Sequence, residues 1–227
     1  MATRKYSCAP ITDAADIKAG VRALKRSCPA ITRAHAVTGD PPVRRWSPEF
    51  DGLVRIVVGQ RLSSSSAQAI FARLTIAVAP LDAPTLLAAT DATLRVAGLS
   101  SGKIATLRAA ATAVTSGTLN FAALATDDEH AVRSQLTAIR GIGPWTADIY
   151  LLFCRGDADA FAPGDLALQI GVQMLMDLPN RPTAEEMTGI AERWRPWRGV
   201  AARMLWTYYG AMKTAAKTAN RNPRPPA

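Results

Sequence analysis

No apolar run in this chain approaches the ~20 residues that a bilayer-crossing helix needs, so neither a membrane span nor a membrane partner is expected. Cysteine is sparse. Cys8, Cys28 and Cys154 are far apart and odd in number, which excludes a disulfide framework and a clustered metal site and suits a reducing compartment. Histidine is sparser still, and His35 and His130 stand isolated with no expected role. The first twenty residues carry basic side chains but no apolar core, so no signal peptide is expected and the cytoplasm is the default location. Strand signals are weak throughout. At most, the first forty residues are expected to hold a short hairpin or an extended arm.

Positive charge and helical periodicity are what the chain has instead. Its 27 Lys and Arg against 18 Asp and Glu give a net charge of +9, spread along the sequence rather than gathered in a tail. Such a balance predisposes a folded protein to a polyanionic partner, with a solvated basic surface as the open alternative. A hydrophobic fraction of 48% excludes general disorder. At 227 residues the chain can form one large domain or two small ones sharing a cleft.

The helix signals run almost end to end. "SPEFDGLVRIVVG" has Ser47 as the expected N-cap, Pro48 at the first helical position, and Phe50, Leu53, Val54, Val57 and Val58 on one face. The serine run 63–66 opens a second helix through Ala67, Ile70 and Leu74. "TLLAATDATLRVAGL", "KIATLRAAATAVTSG" (stopped by Gly117), "DDEHAVRSQLTAI" and "PWTADIYLLFCRG" follow. The loop "DADAFAPGD" leads to "DLALQIGVQMLMDL", capped by Asp165, and then to "TAEEMTGIAERW" and "GVAARMLWTYYGAMKTAAKTA". Residues 221–227, rich in proline and charge, are expected to be a disordered tail. The chain reads as all-α.

One break stands out. "IRGIGPWTADIY" (Ile139–Tyr150) puts two glycines and a proline between short helices, a rhythm echoed by "VAGLSSGKIATL" at Val96–Leu107. Glycine is entropically costly, and this spacing offers backbone N–H groups and a helix start to an approaching phosphate. A dinucleotide-binding loop would need a preceding strand and a third glycine where Thr146 stands. A plain helix C-cap and turn remains the bland alternative.

"LTAIRGIGPWTADIYLLF" resembles the hairpin of the helix-hairpin-helix DNA glycosylase superfamily, and "DAFAPGDLALQ" resembles the loop that follows it, with the superfamily's aspartate at Asp165. "LVRIVVGQRLSSSSAQAIFARL" resembles the helix pair that carries the DNA-wedging turn. "AERWRPWRGVAARMLWTYYG" is very like the closing segment of the bacterial 3-methyladenine DNA glycosylase II family. The four stretches occur in consistent order from about Ser47 to Gly210. The resemblance implies an all-α helix-hairpin-helix glycosylase fold with two helical subdomains flanking a cleft. Residues 48–157 would form a central bundle with the hairpin at about 131–154, and 1–47 with 158–220 the second subdomain. An additional N-terminal β-containing domain of the bacterial type II enzymes is expected to be missing.

By the same resemblance, the expected activity is monofunctional hydrolysis of the N-glycosidic bond of alkylated bases such as 3-methyladenine and 7-methylguanine. The alternatives are a glycosylase for uracil, deaminated or oxidised bases, and a non-catalytic hairpin DNA binder. Bifunctional members carry a Schiff-base lysine where this chain has Trp145, which has no amine nucleophile, so no strand-cleaving lyase activity is expected. The four closely spaced cysteines of iron–sulfur members are absent, and no cofactor is expected. The resemblance assigns catalysis to Asp165 and the base pocket to Trp206, Trp145 and Ile149. It assigns the phosphate anchor to Arg140, Gly141, Ile142, Gly143 and Thr146, and the wedge to Gln60, Arg61 and Leu62, with either Arg61 or Leu62 entering the stack. Asp157 and Asp159 lie outside the Pro-Gly-Asp position and are expected to be dispensable, and Asp148 to be solvated or paired. The expected partner is double-stranded DNA with damaged bases, bound by a monomer associated with the nucleoid.

Overall fold

Side-chain oxygens start most of the helices. In this computed structural model, which describes residues 9–221, the elements are α1 (Ala14–Ser27), α2 (Pro29–Thr38), α3 (Phe50–Gly59), α4 (Ser64–Ala77), α5 (Ala83–Ala88) and α6 (Asp91–Val96). They continue with α7 (Ser101–Thr115), α8 (Phe121–Thr126), α9 (Glu129–Thr137), α10 (Pro144–Ile149), α11 (Leu166–Leu175), α12 (Ala184–Ala191) and α13 (Arg198–Arg221). A π-helical turn, Tyr150–Arg155, prolongs α10, and a short 3-10 turn, Glu192–Trp194, follows α12. No strand occurs among the described residues. Asp13, Ser63, Asp82, Thr90, Ser100, Asn120, Asp128, Asp165 and Thr183 each accept a backbone N–H from the first turn of the helix they precede. Each such cap contributes about 1 kcal/mol, which matters most for the six-residue helices that cannot nucleate alone. Among the described residues no helix is long and apolar enough to cross a membrane.

Two expectations need correction, and one helix went unread. The first forty residues form α1 and α2, not a hairpin or arm. Asp13 and Asp16 make a reciprocal capping box, and Ile17, Val21 and Leu24 recur at helical spacing and are buried. Ser47 is not the cap of α3: the N-cap lies two residues later, at Glu49, and the Ser47 hydroxyl accepts the Glu49 N–H in a turn before the helix. α8, unread in the sequence, begins at Asn120 and buries Phe121 and Leu124. The expected tail lies almost wholly outside the described residues.

Residues 45–155 compose one compact unit, and those up to 44 with those from 156 onward compose the other. In the first unit α3 is the central element, with Leu53, Val54, Ile56, Val57 and Val58 buried and α4, α7 and the π turn packed around it. The unit's two ends are tied: the Trp46 N–H donates to the Phe153 carbonyl at 2.9 Å, and their rings lie 4.9 Å apart. Arg155, at the end of the π turn, donates to the carbonyls of Leu124 and Asp127 beyond α8. Cys154 is buried in the same turn, and that burial pushes its thiol far above the usual range, aided by Asp51 and opposed by Arg45 and Arg55. It is an inert core residue.

In the second unit α13 packs against α1, α2 and α11, and fully buried Trp194 lies 5.8 Å, ring to ring, from Phe161. The Ile11 N–H closes this unit by donating to the Gly156 carbonyl at 2.8 Å.

Of the two expectations for Asp148, the structure shows the paired one. From α10 its carboxylate accepts Arg133 Nε of α9 at 2.7 Å, while Arg133 Nη1 reaches Glu129 at 2.9 Å. The carboxylate is 7% exposed and the guanidinium 33%, so the pair staples the two helices of the hairpin from a largely dry side. Replacing Asp148 by Ala takes the more buried of two carboxylates from the Arg133 guanidinium and leaves it Glu129. We expect a loss of about 2–3 kcal/mol, below the figure for a fully buried pair because Arg133 is partly screened by water. Urea unfolding of Asp148→Ala checks this; a midpoint within error of the parent would refute it.

Candidate active site

The hairpin between α9 and α10 is drawn tight by Ile142 N–H to the Ile139 carbonyl at 3.0 Å and by Thr146 and Ala147 N–H to the Gly143 carbonyl at 3.0 and 3.2 Å. The N–H groups of Gly141 and Gly143 lie outside these bonds. Ile142 and Thr146 are buried, 4% and 2% exposed, so neither side chain is presented to a ligand, whereas Arg140 is exposed. The two glycines have different reasons. Gly141 has φ of 87°, and a Cβ there would lie 1.9 Å from Thr106 Oγ1 on α7, so both conformation and packing demand glycine. Gly143 has φ of −102° and ψ of 179°, extended backbone open to any residue, and a Cβ there would meet nothing within 4 Å. Its missing side chain leaves open space in front of the first turn of α10.

The expected wedge and the expected anchor are joined. Gln60 Nε2 donates to the Gly141 carbonyl at 3.2 Å and to Thr146 Oγ1 at 3.0 Å. From α7, Lys103 Nζ donates to the Val58 carbonyl at 2.7 Å, at the end of α3, and burial lowers its pKa. Gln60, Arg61, Leu62, Lys103, Arg140 and Gly141 share an open concavity of about 690 Å³. Lys103 was not singled out in the sequence, although it lies in the "GLSSGKIATL" echo of the hairpin.

In the other unit, the loop 156–165 brings Asp165 to the start of α11. One carboxylate oxygen, Oδ1, accepts both the Leu168 N–H at 3.0 Å and the indole N–H of Trp206 at 3.0 Å. Asp165 and Trp206 are both half-buried, so the carboxylate is oriented but not sealed from solvent. The loop itself is held by Asp165 N–H to the Ala162 carbonyl at 3.0 Å, Gln169 Nε2 to the Pro163 carbonyl at 3.0 Å and Gly199 N–H to the Ala158 carbonyl at 2.7 Å.

Asp159 in this loop anchors two arginines. It is 8% exposed and accepts Arg198 Nε at 2.9 Å and Nη2 at 3.1 Å, a two-pronged guanidinium contact, together with Arg195 Nη1. Glu192 joins the cluster through Arg195, whose hydrogen bond holds the Glu192 carboxyl below its ordinary pKa despite some burial. Trp145 and Ile149 of the expected base pocket sit on α10 in the hairpin unit, Trp145 half-buried and Ile149 buried. His35 is also less isolated than its sequence position suggests, since its Nε2 lies 2.9 Å from Asp40. Among the described residues no group of three or more His, Cys, Asp or Glu is placed to hold a metal ion.

A family model described as HhH-GPD superfamily base excision DNA repair protein matches residues 54–196. The chain is 32% identical over 203 residues, 85% of its length, to a Mycobacterium tuberculosis protein called probable bifunctional transcriptional activator/DNA repair enzyme AlkA, and spans 40% of that protein. It is 33% identical over 163 residues to DNA-3-methyladenine glycosylase 1 of Schizosaccharomyces pombe, covering 69% of this chain and 71% of that one. Among solved structures it is similar to the S. pombe 3-methyladenine DNA glycosylase (Mag1) in complex with abasic DNA, with a TM-score of 0.78 at 26% identity over 83% of this chain and 95% of that one.

The two glycines separate experimentally. Gly141→Ala is expected to lower the melting temperature clearly, since it adds a left-handed strain of about 1–2 kcal/mol to a clash with Thr106. Gly143→Ala should melt with the parent; equal losses at both positions would contradict the packing difference. For Asp159, Asn keeps the shape but removes the buried charge and leaves Arg195 and Arg198 only the more exposed Glu192. A loss of roughly 3 kcal/mol in unfolding free energy is expected, and parental stability would refute the clamp.

Proposed function

Because the chain belongs to the HhH-GPD superfamily of base excision DNA repair proteins, we propose that it hydrolyses the N-glycosidic bond of alkylated bases in double-stranded DNA, of the 3-methyladenine and 7-methylguanine type. The names of the relatives support the base class. The observation that carries the reading in this chain is the Asp165 carboxylate, held at a helix start by the Leu168 N–H and the Trp206 indole.

Cleavage of the C1′–N bond sends its electron pair to the departing base and leaves positive charge on the sugar. A fixed carboxylate beside that charge stabilises it and can orient the water that adds to C1′, and the water's proton passes to solvent or base. An alkylated purine already carries positive charge, so it needs little protonation to leave. The Trp206 ring offers such a base a stacking and cation–π face, while its N–H stays on Asp165. Trp145 and Ile149 are the remaining candidates for the base pocket.

In the hairpin unit, the Gly141 and Gly143 amides and Arg140 take the DNA backbone, and the turn at Gln60–Leu62 supplies the wedge that base extrusion requires. The net charge of +9 supports a polyanionic partner. Trp145 cannot form a Schiff base, so the product is an intact strand with an abasic site. On this reading the enzyme works as a monomer at the nucleoid, in the cytoplasm, without a cofactor.

Asp165→Asn tests the chemistry directly. Asparagine can still accept the Leu168 and Trp206 N–H groups, so the fold should survive, whereas the negative charge is gone. Single-turnover excision from methylated duplex is expected to fall by about 10²–10³, the effect of one removed electrostatic group. Duplex binding should persist, and borohydride should trap no protein–DNA adduct with the parent. A folded Asp165→Asn that excises at the parental rate would reduce the carboxylate to a helix cap. An efficient adduct would overturn the monofunctional assignment. Excision of uracil or oxidised bases in preference to methylated ones would move the substrate class.

A further inference from the structure

We infer that Arg61, and not its neighbour Leu62, is the side chain that enters the duplex as the damaged base leaves the stack; the inference rests on the excision reading above. It starts from the backbone. The Leu62 N–H donates to the Gly59 carbonyl at 3.2 Å and closes a four-residue turn. Gln60, at φ −52° and ψ 125°, and Arg61, at φ 56°, give it a type II shape. The third position of such a turn favours glycine or asparagine, because a Cβ in the left-handed region crowds the backbone. Arginine there carries a free-energy cost that glycine would not.

Nothing inside the fold repays that cost. Arg61 is exposed, and among the described residues no hydrogen bond or ion pair engages it. A strained residue whose side chain serves no internal contact is a candidate for a role outside the protein. Gln60 is turned inward onto the Gly141 carbonyl and Thr146. Leu62 closes the base of the turn with its backbone N–H, just before the Ser63 cap of α4, and its side chain, 40% exposed, is the rival for the role. Of these two exposed side chains, Arg61 is the one whose residue type carries the left-handed backbone cost.

The turn is also held for the task. Lys103 grips the Val58 carbonyl behind it and Gln60 ties it to the hairpin, so a load on the tip is resisted from two sides. Arg61 shares its concavity with Lys103 and Arg140, which makes the surround cationic and suits a strand of phosphates. A guanidinium can do what leucine does, offering a flat face to unstacked bases, and more: it donates hydrogen bonds to acceptors on base edges and adds charge to the complex.

The test compares single-turnover excision of one methylated base in duplex and in single-stranded DNA, for the parent, Arg61→Gly, Arg61→Asn and Leu62→Ala. Glycine and asparagine both suit the left-handed conformation, so both variants should melt at or above the parental temperature. Their duplex-to-single-strand rate ratio should fall by about tenfold or more, because extrusion from a pair is the step that loses its wedge. Leu62→Ala should lower the ratio less. A larger loss at Leu62 than at Arg61, or a parental ratio in Arg61→Gly, overturns the assignment, and a fall in melting temperature in both Arg61 variants overturns the strain argument. A parent that excises from neither substrate ends the excision reading, and the wedge with it.

Discussion

The contact on which the candidate chemistry depends is an ion cluster rather than the carboxylate that would act. Asp159 binds Arg198 with both of its oxygens and Arg195 with one, which fastens the loop 156–165 to the first residue of α13. Two turns further along the same helix stands Trp206, and at the far end of the same loop stands Asp165. Their hydrogen bond of 3.0 Å closes the circuit. A polar group this buried is costly unless every partner is in place, and the same low dielectric makes the completed cluster rigid. The loop can therefore hold a carboxylate in one orientation without any strand or disulfide.

The hairpin unit reaches the same end by different means. It uses shape where the other unit uses charge. Gly141 lets the hairpin backbone seat against Thr106, Asp148 and Arg133 join the two hairpin helices, and Gln60 links hairpin and turn. Each contact spans elements that α3 has already brought together by burying five aliphatic side chains, each worth about 1.5–3 kcal/mol when fully buried. The polar ties then select the geometry of a core that hydrophobic burial has assembled.

Several residues serve two ends at once. Asp165 caps α11 and takes the indole N–H of Trp206 on the same carboxylate oxygen. On the proposed reading that carboxylate also faces the charge on the sugar, and the Trp206 ring a base. Arg61 shows the opposite relation, since its backbone position works against its residue type. Where local preference and residue disagree in this way, the fold is not what the residue serves.

Helix starts were legible in the sequence because a cap acts over three residues: Ser63 and Asp165 each accept an N–H from the turn that immediately follows. The capping box of Asp13 and Asp16 acts over the same short range, yet it went unread, and the first forty residues were expected to hold at most a hairpin or an arm. The hairpin break and the tryptophan in place of a lysine were likewise visible, since both are matters of residue identity at fixed spacing. The tertiary structure alone decided the rest. Asp159 looked like its neighbour Asp157 until guanidinium groups 36 and 39 residues away closed on it. Trp206 finds Asp165 across 41 residues, and Gln60 finds Thr146 across 86. No spacing rule reaches so far, because those distances are set by which helix faces bury against each other. Of the two reasons Gly141 must be glycine, its φ of 87° belongs to its own turn, but the close approach of Thr106 on another helix is one that no reading of that turn could supply.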